Sequence, residues 1–289
     1  MILFRSNSCR LVSRTFKCNL YRYQSTMASE EDLVKITVQE SVATLTMNRK
    51  PVNSLSLEMC SAMSSAIKDI EKDKKVQSLV LSSSNPSIFS AGLDMKEMYN
   101  PDHDRLIKFW TSFQQLFLDL YGSRLATIAA IEGHAPAAGC MLALTCDYRV
   151  MCSDESFSIG LNEAKFGIAA PSWLGQLMLR TIGFRQGEMA LALGTLFNSN
   201  DALAVGLVDL TVDRELVLES SYEVAKRWGK IPPHARVATK KLARGQYIDD
   251  LMGRRKEDLD FFTSFVLSDQ VQASLGLYLE SLSKRHKSG

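Results

Sequence analysis

The sequence predicts an α/β core followed by a helical region, and three observations lead to that reading. Short apolar strands alternate with amphipathic helical stretches between residues 34 and 160. From Arg214 onward the pattern is helical almost throughout. The chain has 289 residues, 46% of them hydrophobic and 23% charged, which is enough to bury a large core without disulfides or metals.

The elements follow in order. Val34, Ile36 and Val38, then Val42, Leu45 and Met47, alternate with polar residues about a Gln-Glu-Ser turn, the pattern of a hairpin with one buried face. After Pro51 and Asn53 a helix is expected over 55–75, with Ser54 or Ser56 able to cap it. The run 78–81 reads as a buried strand ending in a Ser/Asn/Pro loop. Residues 105–121 carry Leu106, Phe109, Trp110, Phe113, Leu116, Phe117 and Leu120 at helical spacing, a stripe for core or tunnel packing. A strand is expected over 127–131. A Gly-His-Ala-Pro-Ala-Ala-Gly loop then opens a helix through Cys140 and Leu144, and strands follow over 147–152 and 157–160. In the C-terminal region Ile231-Pro-Pro separates two helices, and 256–284 reads as one long helix. Its apolar content exceeds the needs of a lone surface helix, so packing on the core or a neighbouring subunit is expected.

The first 28 residues contain Arg5, Arg10, Arg14, Lys17 and Arg22 and no acid; Glu30 is the first carboxylate. An Arg- and Ser-rich, acid-free leader is the composition of a mitochondrial transit peptide, so 1–28 is expected to be a disordered presequence and the mature chain a matrix protein. The leader has no apolar run long enough to span a membrane. Beyond it acids slightly outnumber bases, which speaks against a nucleic-acid surface. None of the six cysteines has CxxC spacing, and the four in the body lie among apolar residues as buried free thiols do. His103, His134, His234 and His286 are scattered, with no metal-binding spacing, and no GxSxG elbow accompanies a serine. No metal site is expected.

Three segments carry candidate chemistry. In Phe89-Ser90-Ala91-Gly92-Leu93-Asp94-Met95 small residues let backbone N–H groups approach a ligand. Residues 133–140 end in a helix whose free N–H groups and dipole favour a developing negative oxygen. In Ile159-Gly160-Leu161-Asn162-Glu163 a carboxylate closes an uncharged stretch, where burial would raise its pKa toward that of a general base. Each alone could be an ordinary turn or helix start. One N–H from each of the first two, facing the third, would form an oxyanion hole beside a base.

Together, SAGLDMKEM, PAAGCMLALTCDYR and IGLNEAKFGIAAPSWL resemble the three signature regions of the crotonase (enoyl-CoA hydratase/isomerase) superfamily, and the strings NSLS, SAGLD, LTCDYR and GLNE resemble its mitochondrial Δ3,Δ2-enoyl-CoA isomerase branch. The resemblance implies a ClpP/crotonase-like spiral of ββα units over 32–213 and a helical trimerisation region over 214–289. It implies Glu163 as the catalytic base, the backbone N–H groups of Leu93 and Ala138 as oxyanion donors, Ala91, Gly92, Leu93, Asp94 and Met95 as the CoA-lining loop, and Asn162 as a substrate contact. Ala138 stands where the family usually has glycine, so a left-handed backbone there would be strained.

Met141 occupies the position of a hydratase's first glutamate. Hydration needs two groups to place water and proton; moving a double bond needs one base and an oxyanion hole. A methionine offers an apolar wall or core packing, but it cannot order a nucleophilic water. The resemblance therefore implies conversion of cis- or trans-3-enoyl-CoA to trans-2-enoyl-CoA in β-oxidation, with no cofactor beyond the CoA of the substrate and a homotrimer or dimer of trimers as the assembly. The rival readings are another crotonase reaction (hydration, dienoyl-CoA isomerisation or thioester hydrolysis) and a non-catalytic acyl-CoA-binding relative.

Overall fold

The computed structural model describes Tyr21–Arg22 and residues 33–287. The strands are β1 (Tyr21–Arg22), β2 (Val34–Gln39), β3 (Val42–Met47), β4 (Ser78–Ser83), β5 (Ala126–Ile131), β6 (Ala135–Pro136), β7 (Tyr148–Cys152), β8 (Ser158–Gly160), β9 (Phe197–Asn198) and β10 (Leu210–Val212). The helices are α1 (Leu57–Lys72), α2 (His103–Tyr121), α3 (Ala138–Thr145), α4 (Ser172–Ile182), α5 (Phe184–Leu193), α6 (Ser199–Ala204), α7 (Val217–Gly229), α8 (Pro233–Val266) and α9 (Asp269–Lys287).

One sheet has the order β1-β2-β3-β4-β5-β7-β10, antiparallel at the β2–β3 hairpin and parallel from β3 to β10. Every residue of β4 and β5 is buried, as expected of central parallel strands covered on both faces. After each strand from β3 to β7 the chain enters a second layer before its helix. Leu55 bridges Leu93, Ile88 bridges His134, and β6 pairs with β8. These steps generate the expected repeat of ββα units, and they stack the three candidate segments side by side.

Several boundaries differ from the sequence reading. Helix α1 starts at Leu57 rather than 55, because Leu55 is held in the second layer and the Ser56 hydroxyl accepts the Met59 N–H. The stretch 161–213 contains α4, α5, α6, β9 and β10, none of which was expected. The helix expected over 256–284 is instead broken. Helix α8 runs from Pro233 to Val266, where the Ser268 hydroxyl and the Gln272 amide donate to the Phe265 and Val266 carbonyls that the helix end leaves open. Tyr21–Arg22, inside the leader expected to be disordered, pairs with the otherwise free edge of β2; the rest of the leader lies outside the described residues.

Helix α8 is fastened to the sheet by charge. Asp147, its side chain 3% exposed, binds Lys240 at 2.9 Å and Arg244 at 2.6 Å and also accepts the Thr127 N–H. Arg236, one turn before Lys240, donates to the carbonyls of Trp228, Ile231 and Gln77. No helix among the described residues is long and apolar enough to cross a membrane.

Candidate active site

The first two candidate loops touch through their glycines. Gly92 has φ +90°, and a β-carbon built on it would stand 3.2 Å from the Ala138 nitrogen. A β-carbon on Gly139 would stand 2.2 Å from the Ser90 carbonyl oxygen, so only glycine lets the two backbones approach. The first loop is held from outside by Arg49, whose guanidinium reaches the Asp94 carboxylate at 2.6 Å and the Ser54 carbonyl at 3.1 Å. Asp94 also caps the short helical turn that follows. Among the described residues neither the Leu93 nor the Ala138 N–H donates to a protein acceptor. Both residues border one cavity of about 350 Å³.

The strain foreseen at Ala138 falls one residue earlier. Ala137 has φ 51° and ψ −125°, while Ala138 is the first residue of α3. An alanine at such angles costs about 1–3 kcal/mol, which the surrounding contacts must offset. Its N–H donates to the Gly160 carbonyl, tying this loop to β8 and thus to the third segment.

Glu163 begins a short helical turn (Glu163–Phe166) directly after β8 and borders the same cavity. Its Oε2 is enclosed and has no protein hydrogen-bond partner. Burial raises its pKa from 4.5 to about 7, and the only opposing influence is its own backbone N–H. Asn162 is buried on the cavity wall, with its Oδ1 unpartnered rather than turned back to its own backbone.

Of the other expected residues, Ala91 and Met95 line the cavity, Gly92 acts through its backbone, and Asp94 is turned to Arg49. Met141 is fully buried in α3 and is not among the residues that border the cavity, so it packs in the core rather than forming a wall. His134 accepts the Ser158 N–H at Nδ1 and sets its ring edge-on to Phe157, away from the cavity. Cys60, Cys140, Cys146 and Cys152 are free and buried; Cys9 and Cys18 lie outside the described residues. Burial, and then the charge of Glu163, pushes the Cys140 thiol far up. Among the described residues no group of His, Cys, Asp or Glu is placed to hold a metal ion.

Much of the remaining cavity wall is aromatic, and part of it is the stripe of residues 106–120 expected for core or tunnel packing. Trp110 and Phe113 of α2, Trp173 of α4 and Phe262 of α8 line it. Trp110 stacks on Phe262 with centroids 3.5 Å apart, and Trp173 packs on Phe113 and Phe117. Both indole N–H groups donate to one carboxylate, Asp258. The other acids on the cavity are engaged too: Asp250 and Glu257 face Arg254. Trp173, in the third signature string, closes this wall from α4. Asp258 carried no local signal, because its partners lie 148 and 85 residues away in the chain.

Comparison with known proteins places the chain in a family. A family model described as "Enoyl-CoA hydratase/isomerase" matches residues 37–289. Mitochondrial enoyl-CoA delta isomerase 1 of Mus musculus is 42% identical over 89% of this chain and 89% of its own. The Homo sapiens protein of that name is 41% identical over 88% of this chain and 84% of its own. The crystal structure of human mitochondrial delta3-delta2-enoyl-CoA isomerase superposes with a TM-score of 0.85 at 39% identity, covering 88% of this chain and 99% of that one.

Proposed function

The chain belongs to the enoyl-CoA hydratase/isomerase family, and from that membership we propose how its site works. The enzyme is an isomerase that converts 3-enoyl-CoA to trans-2-enoyl-CoA in the β-oxidation of unsaturated fatty acids. The thioester oxygen sits between the N–H groups of Leu93 and Ala138. Glu163 takes a proton from C2, the charge spreads over a dienolate held by the two donors, and the same carboxylate returns the proton at C4.

One observation carries this reading: the Glu163 carboxylate, with its pKa raised to about 7 and its Oε2 unpartnered, shares a cavity with two backbone donors that meet no acceptor among the described residues. A base near pH 7 can both accept and return a proton with little penalty. Among the described residues the other acids bordering the cavity have partners: Asp258 accepts two indole N–H groups, and Asp250 and Glu257 face Arg254. Asn162 contacts the substrate, and the loop from Ala91 to Met95 receives the CoA moiety. CoA arrives with the substrate, and the reaction needs no other cofactor.

The leader directs the chain to the mitochondrial matrix, a reading supported by the mitochondrial names of the relatives. The residues from 214 onward mediate trimer formation, supported by apolar side chains left in solvent on α8, Leu242 and Met252 among them.

The test is to supply the purified chain with 3-enoyl-CoA, follow the absorbance of the conjugated thioester, and analyse products against a 2-enoyl-CoA control. The expected result is 2-enoyl-CoA with little 3-hydroxyacyl-CoA. Hydration as the main outcome would overturn the single-base mechanism. Tight binding without turnover would identify a non-catalytic acyl-CoA binder.

A further inference from the structure

We propose that Asp258 is a positioning residue for acyl-chain selection: it holds Trp110 and Trp173 as a fixed wall of the acyl chamber, so substrates are sorted by whether their tails reach that wall. The inference takes from the isomerase reading only that the ligand is a fatty acyl-CoA.

Three helices meet at this carboxylate. Asp258 Oδ2 accepts Trp110 Nε1 at 2.8 Å and Gln114 Nε2 at 2.7 Å, both from α2. Its Oδ1 accepts Trp173 Nε1 from α4 at 3.1 Å. An indole has a single polar atom, and it only donates. Trp110 is 1% exposed and Trp173 8%, so each ring points its N–H at the one acceptor provided. A charged acceptor holds such donors about twice as strongly as a neutral one. Phe262, one turn beyond Asp258 on α8, presses flat against Trp110 and fixes one face of that ring.

Both carboxylate oxygens accept N–H groups, two at Oδ2 and one at Oδ1. What it controls is the orientation of two rings that border the same cavity as Glu163, Leu93 and Ala138. The oxyanion donors and Glu163 engage the thioester and C2 to C4, so only carbons beyond these can touch the aromatic wall. A short tail offers few such carbons. A long tail lies against it and benefits from finding it already ordered, since ordering loose side chains weakens binding.

The test compares Asp258→Asn, Asp258→Leu and Trp173→Phe with the wild type on 3-hexenoyl-CoA and 3-dodecenoyl-CoA. Dissociation constants of hexanoyl-CoA and dodecanoyl-CoA are measured alongside by calorimetry. In the Asp258 variants the ratio of kcat/KM for dodecenoyl to hexenoyl substrate is expected to fall about tenfold, through KM rather than kcat. Trp173→Phe should shift the ratio in the same direction, and combining it with Asp258→Leu should add little. Equal losses on both chain lengths, or an unchanged ratio in folded protein, would overturn the proposal. If Asp258→Leu does not fold, Asp258→Asn and Trp173→Phe decide it. If the wild type turns over neither thioester, the isomerase reading fails, and the two dissociation constants still decide the wall by the same tenfold criterion.

Discussion

The α-carbon of Gly92 lies against the amide of Ala138, so closely that a methyl group there would stand 3.2 Å from the Ala138 nitrogen and 3.1 Å from the Ala137 β-carbon. With φ at +90°, position 92 also lies where an L side chain is strained. Gly92→Ala is therefore expected to push the two proposed oxyanion donors apart and to lower kcat about 100-fold, the effect of losing one such donor. The backbone penalty should lower stability by about 1–3 kcal/mol. Steady-state kinetics beside thermal unfolding separates the two effects. A folded variant with kcat within threefold of wild type would show that the loops do not form the hole.

The pH dependence follows from the environment of Glu163. Its carboxyl must be ionised to take the C2 proton, and burial has raised its pKa to about 7. The kcat/KM of the isomerisation should therefore rise with pH, reach half its maximum near 7 and level off above. A profile already flat between pH 5 and 8 would mean that another group acts as base.

The same burial predicts a stability difference of defined sign. The folded-state pKa lies above the ordinary 4.5, so the neutral carboxyl contributes stability that is fully present below pH 4.5 and lost as the pH rises through about 7. Glu163→Gln removes that loss. At about 1.4 kcal/mol per pKa unit, the Gln variant should exceed wild type at pH 8 by at most about 3.5 kcal/mol, and the gap should close near pH 4.5. Its turnover should fall by about 100- to 10,000-fold, the contribution of a positioned acid–base group. Denaturant melts at the two pH values test the sign. A variant less stable than wild type at pH 8 would refute the account of a buried, uncompensated carboxylate.

The parts of this site that could be read from the sequence are those built locally. Small-residue loops, a helix start after Pro136 and a carboxylate after an apolar strand each show within a few residues, and their order carried the family resemblance. The alternation of strand and helix patterns pointed to an α/β core, whereas the ββα repeat came only with the family resemblance, because its second-layer pairings such as Leu55 with Leu93 join distant segments. The helices between residues 172 and 204 escaped notice because they are short and are separated by Gly183 and Gly194, with no long periodic run. The strain at Ala137 escaped because the register of a left-handed turn depends on which N–H meets the Gly160 carbonyl, a partner in another strand. Asp258 is the clearest case. In the sequence it is one more acid on an amphipathic helix, and only the crossing of α2, α4 and α8 makes it the acceptor for two tryptophans.

The anchoring of α8 supplies the last prediction. Asp147 sits beneath the helix with Lys240 and Arg244 one turn apart, and the two basic side chains are only 11% and 15% exposed. The Lys240 pKa is lowered, with burial outweighing the attraction of Asp147. Removing the acid leaves two cations and the Thr127 N–H without their shared partner, whereas keeping the pair leaves every member engaged. Asp147→Ala is expected to cost about 3–5 kcal/mol, the penalty for stranding a buried charge. Lys240→Met in the same background should recover part of that loss, since it withdraws one of the stranded cations. Because α8 also carries Asp258 and Phe262 into the cavity, Asp147→Ala should raise KM for long-chain substrate before the protein unfolds. Denaturant titration of the single and double variants, with KM followed through the pre-transition range, tests both points. If the double variant is no more stable than Asp147→Ala, the cluster is not acting through stranded charge.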